Sequence, residues 1–400
     1  MDPIKWSALA DPRFKANPYP FYARMRAENP VFPVSVPFVG RAWIVTRYED
    51  VITVAADERF SRDVLPKLPW LPGFAIAPMT RHMLSQDPPN HGRLRKLVGQ
   101  AFTPRRVERL RDRIQAVCDE LLEAAPRTRS FDLVGGYALP IPLTVISELL
   151  GIPTPDRRRF HTLVQGTIPI ISLSRVLDLP SALPYLWLLT RYFRRLFAQR
   201  RARPGDDLLS ALVQAEEAGD RLDEDELLGM AILLLLAGYE TTQHLIGSAA
   251  LALLERPDQR ARLVSEPGLT NSAIEELLRY TSPVEMTTPR ISRENVTLAS
   301  VTIPRGELAI GVLGSANHDE SVFKDPETLD LARDPNPHLA FGRGRHFCLG
   351  ASLARMEAQI ALTTLFARFP GLRLAQPAQS LRWRRLMLRG LAELPVTGLT

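Results

Sequence analysis

The most informative stretch of this 400-residue sequence reads FGRGRHFCLG, from Phe341 to Gly350. Two glycines precede Cys348 and one follows it, and glycines permit positive φ angles and a close approach of the backbone. A helical pattern begins directly afterwards, at Ala351. We therefore expect Cys348 at the N-terminus of a helix, where the dipole and the first N–H groups favour its thiolate. That is the environment of a metal-ligating cysteine.

The other cysteine, Cys118, lies among apolar residues at helical spacing and is predicted to be a half-buried helix cysteine. Two cysteines do not make a disulfide scaffold. A single cysteine cannot build a structural zinc site either. It can, however, be the one axial protein ligand of a haem iron.

Composition describes a folded, globular chain. Apolar residues make up 45% and charged residues 24%, so a sizeable core can form. The N-terminus lacks a signal-peptide pattern, and the longest strongly apolar run, Met230 to Gly238, is too short to span a bilayer. We therefore expect a cytoplasmic protein without a membrane span.

Positive charge raises the question of nucleic-acid binding. The net charge is +6, and arginine runs such as Arg157–Arg159 contribute to it. These runs flank amphipathic segments with acidic neighbours, and no zinc pattern, basic zipper or aromatic RNA-binding motif accompanies them. Solvated helix faces are the favoured interpretation, and no nucleic-acid partner is predicted.

Periodicity predicts a helix-dominated α+β protein with small sheets. A strand is expected at Ala42–Thr46, a short helix at Tyr48–Ala56, and mostly helices from Asn90 to about Tyr280. The Pro-rich loop Val64–Pro89 and the apolar segment Leu163–Leu189 are candidates for lining or covering a pocket. Further strands are predicted at Glu285–Ser292, Val296–Leu298, Val301–Ile303, Leu308–Val312 and Leu386–Leu388.

A long helix is predicted from Asp223 to Glu255, with Asp223 and Glu226 as its capping box. It would be about 50 Å long, and it is apolar around much of its circumference, so it should be a buried central helix. Its middle reads AGYETT, from Ala237 to Thr242. A glycine, an acid and two hydroxyls are unfavourable in such a helix, which indicates a site for ligand and water.

The stretch from Phe341 to Gly350 resembles the haem-binding signature of the cytochrome P450 family. The resemblance implies that Cys348 ligates the iron of haem b, that Phe341 packs beside this ligand and that His346 binds a haem propionate. Gly342 and Gly350 are implied to lie against the haem.

The AGYETT segment resembles the oxygen-activation motif of the same family. The resemblance implies that Thr241 holds bound O2 and its proton-donating water, and that Glu240 relays protons. Ala237 is implied to line the haem.

Other segments agree with this family. His91 and Arg95, one helical turn apart, and Arg290 are implied to bind propionates. Glu276 and Arg279 resemble the family's Glu-x-x-Arg pair, which fixes the loop before the cysteine, and His318 stands where the family usually has arginine.

The resemblance covers Pro18 to about Leu388 and implies a mainly α, α+β fold with small antiparallel sheets. Composition alone leaves one or two domains open; the resemblance implies a single domain over residues 1–400, with the haem between the long central helix and the helix that follows the cysteine. A monomer is expected.

The implied activity is a monooxygenase that inserts one atom of O2 into an apolar small molecule such as a polyketide, terpenoid, steroid or fatty acid. Hydroxylation is the default, and epoxidation or phenol coupling stay open. No flavin or nicotinamide fingerprint is present. Electrons are therefore expected from NAD(P)H through a ferredoxin reductase and a ferredoxin, with Arg93, Lys96, Arg343 and Arg345 as candidate contacts. Two alternatives are a haem-fold module that binds or recruits without oxidising, and a basic nucleic-acid binder.

Overall fold

The structure is a computed structural model that describes residues 4–36, 40–64, 80–126, 130–172, 179–214, 222–384 and 388–399. Its contacts group into two compact units. The first consists of Met1–Ser61, Arg111–Ile141 and Thr241–Thr400, and the second of Arg62–Leu110 and Pro142–Glu240.

Helices dominate the described residues. In chain order they are α1 Trp6–Leu9, α2 Pro12–Ala16, α3 Tyr19–Glu28, α4 Tyr48–Ala56, α5 Asn90–Ala101, α6 Pro104–Glu108, α7 Arg111–Ala124, α8 Pro140–Leu149, α9 Arg157–Ser172, α10 Leu179–Ala202, α11 Leu208–Gln214, α12 Glu224–Leu254, α13 Pro257–Ser265, α14 Thr270–Thr281, α15 Leu313–Ala316 and α16 Ala351–Arg368. Short 3-10 or π turns lie at Met83–Ser85, Val134–Ala138, Thr154–Asp156, Pro267–Leu269, Gly344–His346 and Ala378–Ser380. No described helix is long and apolar enough to cross a membrane.

The strands are short. They are β1 Ile4–Lys5, β2 Val31–Val36, β3 Gly40–Val45, β4 Phe60–Ser61, β5 Phe131–Asp132, β6 Arg290–Ser292, β7 Val296–Leu298, β8 Val301–Ile303, β9 Leu308–Gly311, β10 Arg373–Leu374 and β11 Pro395–Thr397. They form a six-stranded sheet in the order β1-β2-β3-β9-β6-β4, a three-stranded sheet and a hairpin.

The largest sheet is mixed, whereas the family resemblance implies small antiparallel sheets. β3 pairs with β9 in parallel, with Ala42 opposite Leu308, and β1 pairs with β2 in parallel. Hairpin-connected strands must be antiparallel, but more than 260 residues separate β3 from β9, so no short turn dictates their direction. The other pairings are antiparallel.

The predicted strand Glu285–Ser292 shortens to β6. Thr287 donates to the carbonyl of Gly311 at 2.8 Å, and the carbonyl of Glu285 accepts from Gly314 at 3.0 Å, so this backbone bonds irregularly. Pro289 has no N–H to give to a ladder.

One hydrophobic cluster packs the large sheet against helices α4 and α15 of the first unit. Its central members, all 3% exposed or less, are Val31, Val45, Val51, Val54, Phe60, Ala309, Leu313, Ala316 and Phe323. The strand prediction Ala42–Thr46 and the helix prediction Tyr48–Ala56 are confirmed by β3 and α4, which meet in this cluster.

The central helix is confirmed as α12, within one residue of the predicted bounds at each end. Its capping box is present: Glu226 N–H donates to Asp223 Oδ1 at 2.9 Å, and Asp223 N–H donates to Glu226 Oε2 at 3.1 Å. From Thr242 to Leu253 the helix is buried on all sides, as an apolar circumference predicts.

Some sequence predictions fall outside the described residues. Residues 65–79 of the Pro-rich loop, 173–178 of the apolar segment and 385–387 of the last predicted strand are among them.

Candidate haem site

The cysteine loop, residues 341–350, closes on itself through its backbone. Cys348 N–H donates to the Phe341 carbonyl at 3.0 Å, and Phe347 N–H donates to the Gly344 carbonyl at 3.0 Å. Gly342 and Gly344 have φ angles of +73° and +71°, in the left-handed region that favours glycine. The glycines predicted to shape the loop are thus the residues that turn it.

The end of α4 holds both this loop and Arg290. A Cβ on Gly344 would lie 2.9 Å from the Cβ of Ala56, so the loop backbone touches the helix. Arg290, 3% exposed, donates from Nη2 to the Ala55 carbonyl at 3.1 Å. Arg345 forms an ion pair with Glu58 just beyond α4. Two predicted cofactor-binding elements, distant in sequence, therefore meet at one helix end.

Cys348 is half-buried and lies three residues before Ala351, the first residue of the 18-residue helix α16, as predicted. The positive end of that helix favours a thiolate. Cys118, by contrast, is fully buried rather than half-buried, because Tyr137 covers it and bonds onward to the Ala361 carbonyl at 2.8 Å. Burial raises the pKa of Cys118 to about 12, which makes its thiol inert.

A buried ion-pair network braces the chain ahead of the loop. Arg279 donates Nε and Nη2 to the two oxygens of Glu276 at 2.7 and 2.8 Å, and both side chains are 0% exposed. Arg279 Nη1 reaches the carbonyls of Asn317 and Pro326 at 2.9 and 2.8 Å. The predicted pair is present and ties α14 to the segment that leads into the cysteine loop.

Arg333 is a member of this network that sequence reasoning missed. Its Nε lies 3.0 and 3.1 Å from the oxygens of Glu276, and its Nη1 donates to the Lys324 carbonyl at 2.7 Å. An arginine 57 residues away carries no local signal of this pairing.

A second, more exposed network joins α14 to α16. Arg355 donates two 2.7 Å hydrogen bonds to Glu275, and its guanidinium stacks 4.5 Å over the Phe341 ring. His338 lies 3.1 Å from the same carboxylate. Burial would raise the pKa of Glu275, but Arg355 and then His338 outweigh it and lower the pKa to about 2. Arg355 was also not predicted, and it packs on Phe341, the first residue of the loop.

The predicted oxygen-activation residues lie on α12. On one side of this helix the residues are not fully buried: Leu233 and Thr241 are half-buried, and Ala237 is exposed. These three residues share a face because they are four residues apart. Glu240 is buried, at 6% exposure. Thr242, next to Thr241, bonds instead to the buried Glu357 of α16, whose pKa burial raises well above the ordinary range.

The missing side chain of Gly238 does not by itself create space for a ligand beside α12. A Cβ there would meet Ile146 of α8 at 3.0 Å, so the glycine allows two helices to approach closely. The accessible face belongs to its neighbours Ala237 and Thr241.

His91 and Arg95 lie one turn apart on α5, as predicted. His91 is 3% exposed and Arg95 is half-buried. Arg93, a candidate partner contact, forms an ion pair with Glu226 at the start of α12.

The donor set of the first unit suits a haem. It offers one thiol at a helix start, the buried guanidinium of Arg290 and the half-buried imidazole of His346 for carboxylates. Added Cβ atoms at Gly342 and Gly350 would meet nothing within 4 Å, so space adjoins the loop for a planar group. Among the described residues no three His, Cys, Asp or Glu side chains cluster as metal ligands, so Cys348 would be the sole protein ligand on its side of the iron.

Comparison with known proteins gives consistent results. The profile of the family Cytochrome P450 matches residues 12–388. Cytochrome P450 107B1 of Saccharopolyspora erythraea is 44% identical over 401 residues, which cover 96% of each chain. Vitamin D(3) 25-hydroxylase of Pseudonocardia autotrophica is 43% identical and covers 96% of this chain and 94% of that protein. The structure of cytochrome P450 PksS, of the bacillaene polyketide synthase of Bacillus subtilis 168, superposes with a TM-score of 0.90 at 39% identity, covering 97% of this chain and 98% of that one.

Family membership carries the cofactor haem b and monooxygenase activity. Bacterial members take electrons from ferredoxin and reductase partners and bind small-molecule substrates. The predicted fold, cofactor and reaction class are confirmed by these matches. The chain belongs to the cytochrome P450 family of haem-dependent oxidoreductases.

Proposed function

We propose that this monooxygenase hydroxylates a large apolar molecule of the polyketide or steroid type, with terpenoids and fatty acids as further candidates. The names of two similar proteins support the first two classes, since one is a vitamin D(3) hydroxylase and the other belongs to a polyketide synthase. Each of them covers nearly the whole chain. Epoxidation is a second outcome that the same chemistry permits.

The observation that carries the proposal is the closed cysteine loop. The backbone bond from Cys348 to Phe341 presents one half-buried thiol at the start of α16. Cys348 would ligate the iron as thiolate, and Phe341, held under Arg355, would shield the sulfur from water.

Other residues would hold the rim of the cofactor. Arg290 and His346 would bind propionates, since a guanidinium matches a carboxylate with two hydrogen bonds. Gly342 and Gly350 would leave room for the ring. We retain His91 and Arg95 as propionate partners, and Ala237 as a haem contact, on the family resemblance.

The haem, when bound, supplies the activation of O2. The role of the chain is to deliver protons and to exclude water. Thr241, on the accessible side of α12, would hold a water at its hydroxyl, and Glu240, buried one residue earlier, would pass protons to that water. The buried helix around them limits stray water, which would divert electrons from product.

Electrons would reach the protein from a ferredoxin and its reductase, in the cytoplasm, with the enzyme acting as a monomer. Arg343 is exposed on the cysteine loop, and Lys96 is exposed on α5. Both suit an acidic ferredoxin surface. Arg93 and Arg345 already have acidic partners in the chain, so we expect them to contribute less.

Two spectra test the proposal. The reduced protein with carbon monoxide should show the red-shifted band of a thiolate-ligated haem, and Cys348→Ser should lose it. Cys118→Ala, the matched control, should keep the band, because Cys118 is fully buried against Tyr137, which bonds to α16 at Ala361 and not at the loop. A red-shifted band in Cys348→Ser would refute the ligand assignment.

Substrate class is tested by titrating the oxidised holoprotein with a macrolactone, vitamin D3 and a long-chain fatty acid. A substrate that displaces water from the iron shifts the Soret band. We expect saturable shifts with the first two compounds, and a shift with small polar molecules alone would contradict the proposed class.

A further inference from the structure

Arg389 is a deeply buried arginine near the C-terminus of the first unit. It is 7% exposed, and among the described residues no carboxylate forms an ion pair with it. A buried charge is costly unless hydrogen bonds from other groups compensate it. The groups that surround Arg389 therefore show which parts of the fold it holds together.

The ends of two helices provide the compensating negative charge. Arg389 Nε donates to the carbonyl of Lys15 at 3.0 Å, and Nη2 donates to that of Ala16 at 3.3 Å. These are the last two residues of α2. Nη1 donates at 3.2 Å to the carbonyl of Thr281, the last residue of α14. Because the last carbonyls of a helix lack partners within it and carry partial negative charge, one guanidinium caps both helices.

Two aromatic rings enclose the same guanidinium. Its carbon lies 4.1 Å from the centre of the Trp383 ring and 5.1 Å from the centre of the Tyr19 ring. Both rings are buried, and a cation over an aromatic face is attracted most strongly where water is excluded. A flat guanidinium stacks on such rings while it donates along its edge, which a lysine ammonium cannot do.

Arg389 belongs to a pair of antiparallel segments, residues 382–384 and 388–392, which we call the C-terminal strand pair. The N–H of Ala392 donates to the carbonyl of Arg382 at 2.8 Å across this pair. The backbone N–H of Arg389 donates to the carbonyl of Pro283 at 2.9 Å, just after α14. Side chain and backbone of one residue thus attach the strand pair to α2 and to the end of α14.

The strand pair also rests on the central helix α12. A Cβ on Gly390 would lie 1.9 Å from Nδ1 of His244, so the imidazole packs flat against the backbone there. His244 is 2% exposed, whereas Thr241, three residues earlier, is half-buried. Residues three apart are neighbours on a helix surface and lie roughly 5 Å apart along its axis. The strand pair therefore stands beside the accessible position of Thr241.

Two apolar side chains lie at the edge of this arrangement. Leu388 directly precedes Arg389 and pairs with Val284 in an antiparallel bridge. Both Leu388 and Val284 are half-buried, while Arg389 and Gly390 are buried. The position of this apolar edge relative to α12 therefore depends on the anchor at Arg389 and on the contact between Gly390 and His244.

We propose that Arg389 is a positioning residue for the oxidation reaction. It fixes the C-terminal strand pair between two helix ends and α12, and so determines how a bulky ligand fits beside Thr241. Arg389 acts through Leu388 and Gly390 and does not touch the ligand. An apolar wall that is already fixed binds more tightly, because less of it must be ordered on binding. The inference rests on the proposed function only in taking the Thr241 side of α12 as the ligand side.

Two azoles of different size test the proposal on the oxidised holoprotein. Imidazole and clotrimazole each bind haem iron through a neutral ring nitrogen and shift the Soret band, but only clotrimazole is large enough to contact the surrounding walls. Arg389→Met should weaken clotrimazole binding about fivefold and imidazole binding less than twofold, because only the larger ligand must order the loosened wall. Neither azole is a candidate substrate, so the result does not depend on the proposed substrate class.

The matched control is Arg26→Met. Arg26 is also a buried arginine of the first unit, at 4% exposure, but it joins α3 to the Ser315 carbonyl of α15. Its loss should change the affinity for either azole less than twofold. The reduced carbon monoxide band should persist in both variants, which separates a displaced wall from a failure of the haem assignment.

Gly390→Ala disturbs the same strand pair from its other side. The added Cβ collides with His244 while Arg389 stays in place, so clotrimazole binding should again weaken selectively. This variant decides the matter if Arg389→Met does not retain haem. Arg389→Lys keeps the charge but not the flat, branched donor, so it should recover only part of the lost affinity.

Three results would overturn the role of Arg389. The first is unchanged clotrimazole binding in Arg389→Met with an intact carbon monoxide band. The second is equal weakening of both azoles in Arg389→Met and Gly390→Ala, which would mean a general loosening of the protein. The third is selective weakening of clotrimazole binding in Arg26→Met to the same extent, which would remove the link to the strand pair.

Discussion

The backbone N–H of Cys348 donates to the carbonyl oxygen of Phe341 at 3.0 Å and closes an eight-residue turn that includes Gly342 and Gly344. This backbone hydrogen bond helps to orient the thiol. Arg355, stacked 4.5 Å over Phe341, holds the other end of the same hydrogen bond. The position of the sulfur therefore depends in part on Arg355, which acts through Phe341.

The two glycines of this turn should differ in their tolerance of a side chain. Gly342→Ala should destabilise the protein by about 1 kcal/mol, because it adds left-handed strain but meets no atom within 4 Å. Gly344→Ala should cost about 2–4 kcal/mol, because its Cβ also collides with Ala56 at 2.9 Å. Urea unfolding of both variants checks the order, and equal losses would show that strain alone governs the turn.

The buried pair Glu276–Arg279 should be the most sensitive ionic contact tested. Glu276→Gln leaves Arg279 charged and 0% exposed, so the unfolding free energy should fall by about 3–5 kcal/mol. The control Arg262→Gln breaks an exposed helix pair with Glu266 and should lower it far less, because solvent screens that pair. Denaturant midpoints give both values, and comparable losses would refute a buried, charged Glu276.

The features that the sequence predicted correctly depend on interactions between residues that are close together in the chain. The capping box of Asp223 and Glu226 forms because both partners lie in one turn, and α4 matches its periodicity. The cysteine loop was predictable because its glycines and the following helix are adjacent to Cys348.

Pairings between segments that are far apart in the chain could not be predicted from the sequence. The parallel pairing of β3 with β9, the recruitment of Arg333 by Glu276 and the covering of Cys118 by Tyr137 each join distant segments. A helical pattern gives the side of a helix that is buried, but not the depth of burial. The full burial of Cys118 is an example.

Thr241 and Thr242 are adjacent on α12, but we expect substitution of Thr241 to affect catalysis and substitution of Thr242 to affect stability. Thr241→Ala should lower product formed per NAD(P)H by about tenfold or more and raise hydrogen peroxide, because proton delivery fails. Thr242→Val should leave this ratio unchanged but lower stability by about 1–3 kcal/mol, because its hydroxyl bonds to buried Glu357. Unchanged coupling in Thr241→Ala, with a normal carbon monoxide spectrum, would remove Thr241 from the proton path.

Glu275 gives the protein an acid-dependent contribution to stability. Burial raises its pKa, but Arg355 and then His338 outweigh that effect and bring it from 4.5 to about 2. A lowered folded-state pKa stabilises the protein fully above pH 4.5, and this stabilisation is lost as the pH falls toward 2. Because the Glu275 side chain is 29% exposed and partly screened, we expect about 1–2 kcal/mol.

The variant Arg355→Gln isolates this contribution. Near pH 6 its unfolding free energy should lie about 2 kcal/mol below that of the wild type, and the gap should narrow as the pH falls from 4.5 toward 2. A remainder of about 0.5–1 kcal/mol should persist at every pH, because the variant also loses the stacking of Arg355 on Phe341. Urea unfolding followed by far-UV circular dichroism at pH 6, 4 and 3 measures this difference in unfolding free energy.

The control is Arg262→Gln, which breaks an exposed ion pair. Its unfolding free energy should differ little from that of the wild type at all three pH values. A gap for Arg355→Gln that stays constant with pH would mean that Arg355 acts through Phe341 alone and that Glu275 titrates normally.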